Sequence, residues 1–273
     1  MNKNTRNTDE RKPMYHIGID GTHGAKYAIL PGDPGRVESI AHHLDNPHFL
    51  ARSREYTSYI GSLEGENVIV MSTGMGGPST AICVEELYQT GVRTFIRIGT
   101  CGGMNLDVIP GDLVIANAAI RMEGTSKEYV PIEFPAISNI EVTNALISAA
   151  KNVLSCNQLS KANSHHVGIV QCKDSFYGQH SPERMPIGDE LMSKWHAWIK
   201  AGCLASEMES ATLFIVSQIL GARAGCVLNV IWNQERANAG IEDTESPDMS
   251  NAIAVSIEAM RQLIVGDKAD FII

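Results

Sequence analysis

The stretch Asn67–Tyr88, NVIVMSTGMGGPSTAICVEELY, decides how the chain is read. It opens on a short apolar run, passes through a glycine-rich turn, and then places Ala81, Val84, Leu87 and Tyr88 at helical spacing. A second apolar run, RTFIRIG (Arg93–Gly99), follows. Strand, glycine turn, helix, strand is the grammar of a sheet whose crossovers are helical. Working outward, KYAIL (Lys26–Leu30) breaks at PGDPG and leads into the helical RVESIAHHL, while DLVIANAAI, HVGIVQC and RAGCVLNVIW read as further strands. Helices are expected over about Asn139–Leu154, Pro186–Ala201, Glu207–Leu220 and Ser250–Val265, the last with Ile253, Ile257, Met260 and Ile264 in one stripe. Strands alternating with helices argue for an α/β domain with both sheet faces covered. We place that domain over residues 14–273, behind a polar tail at 1–13.

Composition bounds the function. Of 273 residues, 44% are hydrophobic and 19% charged, enough for a packed core and unlike a disordered or collagenous chain. A net charge of −9 argues against a nucleic-acid surface. No apolar run approaches the ~18–20 residues that span a bilayer, and MNKNTRNTDERKPMYH lacks the apolar segment of a secretory signal. The six cysteines, at 83, 101, 156, 172, 203 and 226, include no C-x-x-C pair, so neither a zinc nor a redox motif is indicated. A cytoplasmic protein without membrane or nucleic-acid partners is the expectation.

Three strand-to-loop junctions combine glycine with basic or hydroxyl residues: Gly32–Arg36, Ser72–Thr80 and Arg97–Gly103. Glycines there let backbone N–H groups approach an anion, and in open α/β sheets such loops gather where ligands bind. Neither a Walker A nor a G-x-G-x-x-G motif is present. Arg97 sits inside an apolar run, where an unpaired charge would be costly. A structural ion pair accounts for it as well as a ligand does, and a solvated helix start accounts equally for Arg36. In Ala205–Thr212, ASEMESAT, Glu207 and Glu209 open an apolar helix; they read either as helix caps or as acceptors for sugar hydroxyls. In Cys172–His180, CKDSFYGQH, two aromatics beside an amide and an imidazole can stack on a planar ring, or simply form a loop.

The ordered motifs PGDPGR, SREY, STGMGGPS, RIGTCG, FYGQ and ASEMES, spread over residues 14–265, resemble the nucleoside phosphorylases, in particular those that cleave uridine. The resemblance implies an α/β sandwich around a mixed, partly barrel-like sheet, assembled as a homohexamer of three dimers with active sites shared between subunits. It implies reversible phosphorolysis of uridine, and of 2′-deoxyuridine, to uracil and the sugar 1-phosphate, in pyrimidine salvage, with inorganic phosphate as co-substrate and no cofactor. By that match Gly32, Arg36, Arg97 and Thr100 hold phosphate, joined by Arg54 from a neighbouring subunit. His16, Glu207, Met208 and Glu209 hold the ribose, His16 from across the interface. Phe176, Gln179, Lys173, His180, Gly102 and Ile231 line the base pocket, and Arg36, Arg97 and Glu209 carry catalysis. A potassium ion between dimer partners would be held by Glu55, the Met75 carbonyl and Ser79.

Two departures stand out. Uracil-specific relatives carry Gln-x-Arg, whereas Gln179 is followed by His180 and Ser181, and Arg184 comes too late; an arginine expected after Asn233 is Gln234. The positive charge facing the departing base then falls to Lys173 or His180. Purine enzymes place an aspartate near Asn233, which disfavours a purine, and the phosphate-binding arginines disfavour a hydrolase. The alternatives are a phosphorylase of the same fold with another base preference, and a non-catalytic nucleoside-binding protein.

Overall fold

Along β1 (Tyr27–Pro31) successive side chains go to opposite apolar layers: Ala28 and Leu30 to one, Tyr27 and Ile29 to the other. This alternation sets the architecture of the computed structural model, which describes residues 12–156 and 164–270. The first eleven residues of the expected tail lie outside it; Lys12 and Pro13 are exposed. The remaining strands are β2 (Asp45–Ser53), β3 (Tyr56–Leu63), β4 (Glu66–Met71), β5 (Thr94–Gly103), β6 (Leu113–Met122), β7 (Ala136–Ile137), β8 (His165–Lys173), β9 (Ala205–Glu207) and β10 (Arg223–Asn233). The helices are α1 (Val37–Ala41), α2 (Gly77–Gln89), α3 (Thr125–Tyr129), α4 (Ile140–Cys156), α5 (Phe176–His180), α6 (Gly188–Lys200), α7 (Ser210–Leu220), α8 (Gln234–Asn238) and α9 (Ser250–Asp270).

The strands form one ten-stranded mixed sheet. β5 pairs with β10 in parallel, β10 with β6 antiparallel, β6 with β8 and β8 with β9 in parallel, and β9 returns antiparallel to β5. Five strands thus close on themselves, and β1, β4, β3 and β2 extend from β5 as an open arm. α2 and α7 cover one face, through Val84, Leu87, Leu213 and Phe214. α1, α4 and α9 cover the other, through Ile40, Leu146, Met260 and Ile264. The α/β class and the mixed, partly barrel-like sheet are therefore as expected. Cys83, Cys101, Cys172, Cys203 and Cys226 are buried as small apolar residues; the side chain of Cys156 lies outside the described residues.

Three features differ from the sequence reading. The β2–β3 hairpin had no assigned element: most of β2 is exposed, and β3 buries Ser58, whose hydroxyl bonds Ala51 across the hairpin, so no apolar alternation announces it. The helix expected from Glu207 starts at Ser210, after the short strand β9. α9 runs on past Val265 to Asp270.

One ion-pair network locks the far end of α9 to the sheet. Arg223 of β10 donates from both terminal nitrogens to Asp267, at 2.9 and 2.5 Å, and to Glu141 of α4 at 2.9 Å; the Tyr27 hydroxyl donates to Asp267 at 2.8 Å. Burial alone would raise the Asp267 carboxyl, but Arg223 and Tyr27 outweigh it and hold it below the usual carboxylate range. A depressed native value means that the contribution is present above the unfolded value of about 3.9 and is lost as pH falls through the native one. Asp267→Asn is expected to lower unfolding stability by about 1–2 kcal/mol near neutral pH, the pair being part-exposed and screened. That deficit should be smaller at about pH 3, below the unfolded value, and vanish only below the native one. Denaturant unfolding at both pH values checks it; an equal deficit at each would show that the charge is not its source.

Candidate active site

Side-chain alternation carries Arg97 to the face of β5 that it shares with Phe95 and Cys101, against the layer containing α7, while Ile96 and Ile98 face the opposite layer. Arg97 is 4% exposed, so its charge must be met inside the protein. Two carboxylates meet it. Glu207 ends β9 with its Oε2 3.5 Å from Arg97 Nε, and Glu209, at the N-cap position of α7, accepts from Arg97 Nη2.

The two glutamates differ at the helix start. Glu207 accepts from the backbone N–H of Glu209 at 2.9 Å and of Ser210 at 3.0 Å, and from the Ser210 hydroxyl, so it is the carboxylate that caps α7. Glu209 makes no cap bond; its Oε1 instead accepts from the Gly76 N–H at 2.6 Å, tying α7 to the loop before α2. That loop can turn so tightly because Gly74 and Gly76 adopt φ values of +71° and +89°. The Gly76 N–H is thereby committed to Glu209 and is not offered to an anion. Met208, between the two acids, is half-buried.

Burial works to strip the proton from Arg97, but Glu209 and Glu207 outweigh it, and the guanidinium is held charged even more firmly than usual. Burial pushes the Glu209 carboxyl upward, with Arg97 opposing. Among the described residues Arg97 Nε, 3.5 Å from Glu207, and Nη1 nevertheless have no hydrogen-bond partner. Buried donors of this kind are rarely left unmet. Nη1 points at the turn after β1: a Cβ placed on Gly32 would lie 3.8 Å from it and 3.3 Å from the Gly74 carbonyl. A guanidinium edge facing a side-chain-free turn is a seat for an oxyanion. Arg36 stands four residues along that turn, half-buried, its Nε 3.9 Å from Asp33. Thr100 follows Arg97 on β5, half-buried, its hydroxyl without a partner among the described residues. Four of the expected phosphate ligands thus belong to two adjacent junctions.

Of the expected base residues, Lys173 and Gln179 are joined through Ser206. Lys173, at the end of β8, is buried and donates to the Ser206 hydroxyl of β9 at 2.6 Å. Ser206 donates to Gln179 Oε1 at 2.7 Å, and Gln179 Nε2 donates to Gln234 Oε1 of α8 at 3.0 Å. Lys173, Gln179 and Gln234 line a cavity of about 220 Å³ together with Leu191, Met192 and Trp195 of α6; Phe176, His180, Gly102 and Ile231 are not part of its lining. Phe176 is half-exposed and stacks on His180 with ring centroids 4.3 Å apart, and Trp232 stands 6.1 Å from His180. Gly102 pairs with both Ser206 and Trp232, and Ile231 lies at the register shift of β10, so both border this wall. Burial, then the charge of Lys173, lowers the His180 imidazole; burial lowers Lys173 as well, against Glu207 and Glu209. Asn233 is spent on structure: its amide nitrogen donates to the carbonyls of Asn105 and Val108, and its oxygen caps α8.

A sequence model of the phosphorylase superfamily matches residues 26–264. The chain belongs to that superfamily. Curated relatives include the uridine phosphorylase of Treponema pallidum, 53% identical over 93% of this chain and 95% of its own. The uridine phosphorylase of Escherichia coli is 39% identical over 93% and 99%. A guanosine phosphorylase of Halorubrum lacusprofundi is 35% identical over 91% and 98%.

The remaining expected residues of this phosphorylase lie elsewhere. His16 is clamped by Glu86 of α2, which accepts from its backbone N–H at 3.0 Å, from its Nδ1 at 2.6 Å and from the Ile17 N–H at 2.9 Å. A carboxylate only accepts, so Nδ1 carries the proton of that bond. Arg54, at the exposed β2–β3 turn with φ +55°, sits over the Tyr15 ring at 5.9 Å. Among the described residues, no hydrogen bond or ion pair joins His16 or Arg54 to the Arg97 cluster. Ser79 donates to the Met75 carbonyl at 3.1 Å, and Glu55 lies against Gly74, so the three expected cation ligands share one patch. Ser206 and Gln234, which bond Lys173 and Gln179, carry no such signal in the sequence: Gln234 reads there only as a lost arginine, and nothing in ASEMES marks Ser206.

The two arginines should respond differently to removal. Arg36→Ala is expected to raise the KM for phosphate roughly tenfold or more, the worth of one charge-assisted hydrogen bond, at an unchanged melting temperature. Arg97→Met should abolish phosphate binding and also cost about 3–5 kcal/mol of stability, because it strands two buried carboxylates. Phosphate titration and thermal melting of both variants check this.

Proposed function

We propose that this phosphorylase cleaves uridine reversibly with inorganic phosphate, giving uracil and ribose 1-phosphate, and that it accepts 2′-deoxyuridine. The observation that carries the reading is the unpartnered Arg97 edge beside Gly32, supported by the names of the uridine-cleaving relatives. Phosphate held by Gly32, Arg36, Arg97 and Thr100 attacks the anomeric carbon while the bond to the uracil nitrogen breaks. The sugar gains positive charge and the base leaves with the electron pair. Catalysis here is placement and charge: arginines align the phosphate, Glu209 accepts from ribose hydroxyls with Met208 beside the sugar, and no covalent intermediate on the protein is needed. Glu207, spent on the helix cap, supports Arg97 rather than the sugar.

On the base side Phe176 stacks on the ring, Gln179 reads its edge, and Gly102 and Ile231 border it. With His180 held towards its neutral form, Lys173 supplies the charge that stabilises the departing uracil. Lys173→Ala is expected to lower kcat/KM at least tenfold, the worth of one charged hydrogen bond, and His180→Ala much less. Full uridine activity in both variants would sink this assignment.

Incubation with uridine, with and without phosphate, followed by ultraviolet absorbance, is the direct test. Phosphate-dependent uracil release is expected; release without phosphate would make the protein a hydrolase. Guanosine belongs in the panel because a guanosine phosphorylase is among the relatives and Gln-x-Arg is broken. The engagement of Asn233 with backbone groups favours the pyrimidine.

We further propose that Arg54 and His16 complete the site of a neighbouring copy in a homohexamer of dimers. Glu55, the Met75 carbonyl and Ser79, all oxygen donors suited to a hard cation, fit a potassium site between partners. A cytoplasmic location fits this chemistry. If the sites are shared, mixing inactive Arg54→Ala chains with inactive Glu209→Gln chains should restore part of the activity, since some sites receive both intact residues. A mixture that stays inactive while forming hybrid oligomers would rule out sharing.

A further inference from the structure

The hydrogen-bond chain behind the base wall has a direction, and proton counting fixes it. An ammonium has three donors and no acceptor, so the Ser206 oxygen, 2.6 Å from Lys173 Nζ, accepts from it. Ser206 has one proton of its own, which goes to the Gln179 atom 2.7 Å away. That atom must be the carbonyl oxygen, Oε1. Gln179 Nε2 then faces Gln234, and the Gln234 atom 3.0 Å from it must be an oxygen. Without the ammonium at its head, a hydroxyl and two carboxamides could hydrogen-bond equally well with both amides turned over. Lys173, Gln179 and Gln234 line one cavity, and Gln179 Oε1 keeps a second lone pair and its Nε2 a second proton for a base.

We infer that Ser206 and Gln234, their direction set by Lys173, are positioning residues that hold the Gln179 carboxamide in one orientation and so restrict the enzyme to bases presenting a carbonyl–NH edge, excluding aminopyrimidines. The inference rests on the pyrimidine-nucleoside reading above. In the fixed orientation Oε1 accepts from the ring N–H of uracil while Nε2 donates to the neighbouring carbonyl. Cytosine offers the reverse pattern, an unprotonated ring nitrogen beside an amino group. Against the same carboxamide it sets lone pair against lone pair and N–H against N–H. A site built to hydrogen-bond one pattern rejects the other strongly, because its buried polar groups are left unpaired. A carboxamide free to turn over would read cytosine as readily as uracil. The orientation of one side chain is therefore the discriminator, and the chain from Lys173 holds it.

The test is kcat/KM for uridine and for cytidine at saturating phosphate, with melting temperatures, in the wild type, Ser206→Ala, Ser206→Thr and Lys173→Met. The wild type is expected to favour uridine strongly. Ser206→Ala interrupts the chain and should cut the uridine-to-cytidine ratio about tenfold or more, the worth of a hydrogen bond. Lys173→Met should cut it similarly, and Ser206→Thr, which keeps the hydroxyl, should preserve it. A merely structural role would lower both activities together and leave the ratio in place, and that result overturns the inference. So does a wild type that cleaves cytidine as well as uridine. Should Lys173→Met fail to fold, the Ser206 pair decides alone. No uracil from uridine in the wild type would instead overturn the functional reading itself, and this inference with it.

Discussion

Burying one guanidinium between two carboxylates, at the carboxyl end of a strand, is the constraint around which this molecule is arranged. Taking three charges out of water is costly, and mutual attraction repays it only when the geometry is tight and the remaining donors and acceptors are met. Here each acid is also tied to the backbone. Glu207 satisfies the first N–H groups of α7, and Glu209 holds the glycine loop before α2. Charge pairing and fold closure are thus the same contacts. Among the described residues only Nε, 3.5 Å from Glu207, and Nη1 of Arg97 are left without a hydrogen bond, and Nη1 faces the Gly32 turn.

The short strand β9 makes this economical. It returns to β5 and closes the five-strand circuit. Within it, alternation turns neighbouring residues to different tasks: Ser206 joins Lys173 and Gln179, and Glu207 joins Arg97. The base wall and the anion edge are therefore connected through one peptide unit. Moving β9 would disturb both at once, which is why a three-residue strand carries so much of the site.

The sequence announced the anomalies better than the ordinary connections. Arg97 was legible because a charge inside an apolar run needs an explanation, and the glycine junctions because a strand followed by such a turn is a ligand-binding grammar. Six strands with continuous apolar runs were readable for the same reason. The β2–β3 hairpin was not, since its buried Ser58 and exposed outer strand mimic a loop. Nor was the division between Glu207 and Glu209, because two acids beside a helix start look alike until the backbone shows which one is at the cap. Ser206 was invisible for a related reason: a hydroxyl becomes functional only through the partners on either side of it, and those lie 33 and 27 residues away in the chain.

The separation of the two half-sites explains how one architecture can keep its chemistry while its base preference changes. The anion edge is built from β1, β5 and the start of α7, whereas the base wall is built from β8, α5 and α8. Replacing arginines in the latter leaves Arg97 and its carboxylates untouched. The replacement is not neutral, however. An arginine presents a rigid planar fork suited to one carbonyl, while a lysine is a compact charge with three donors. Placed at the end of β8, Lys173 orients the neighbouring amide through Ser206 and keeps two further donors, which on the proposed reading face the leaving base. On the proposed reading a single ammonium takes over both duties that the absent arginines would have shared, the positive charge and the fixed hydrogen-bond pattern. The condition is that the hydroxyl and the two glutamines stand in line with it, and in this chain they do.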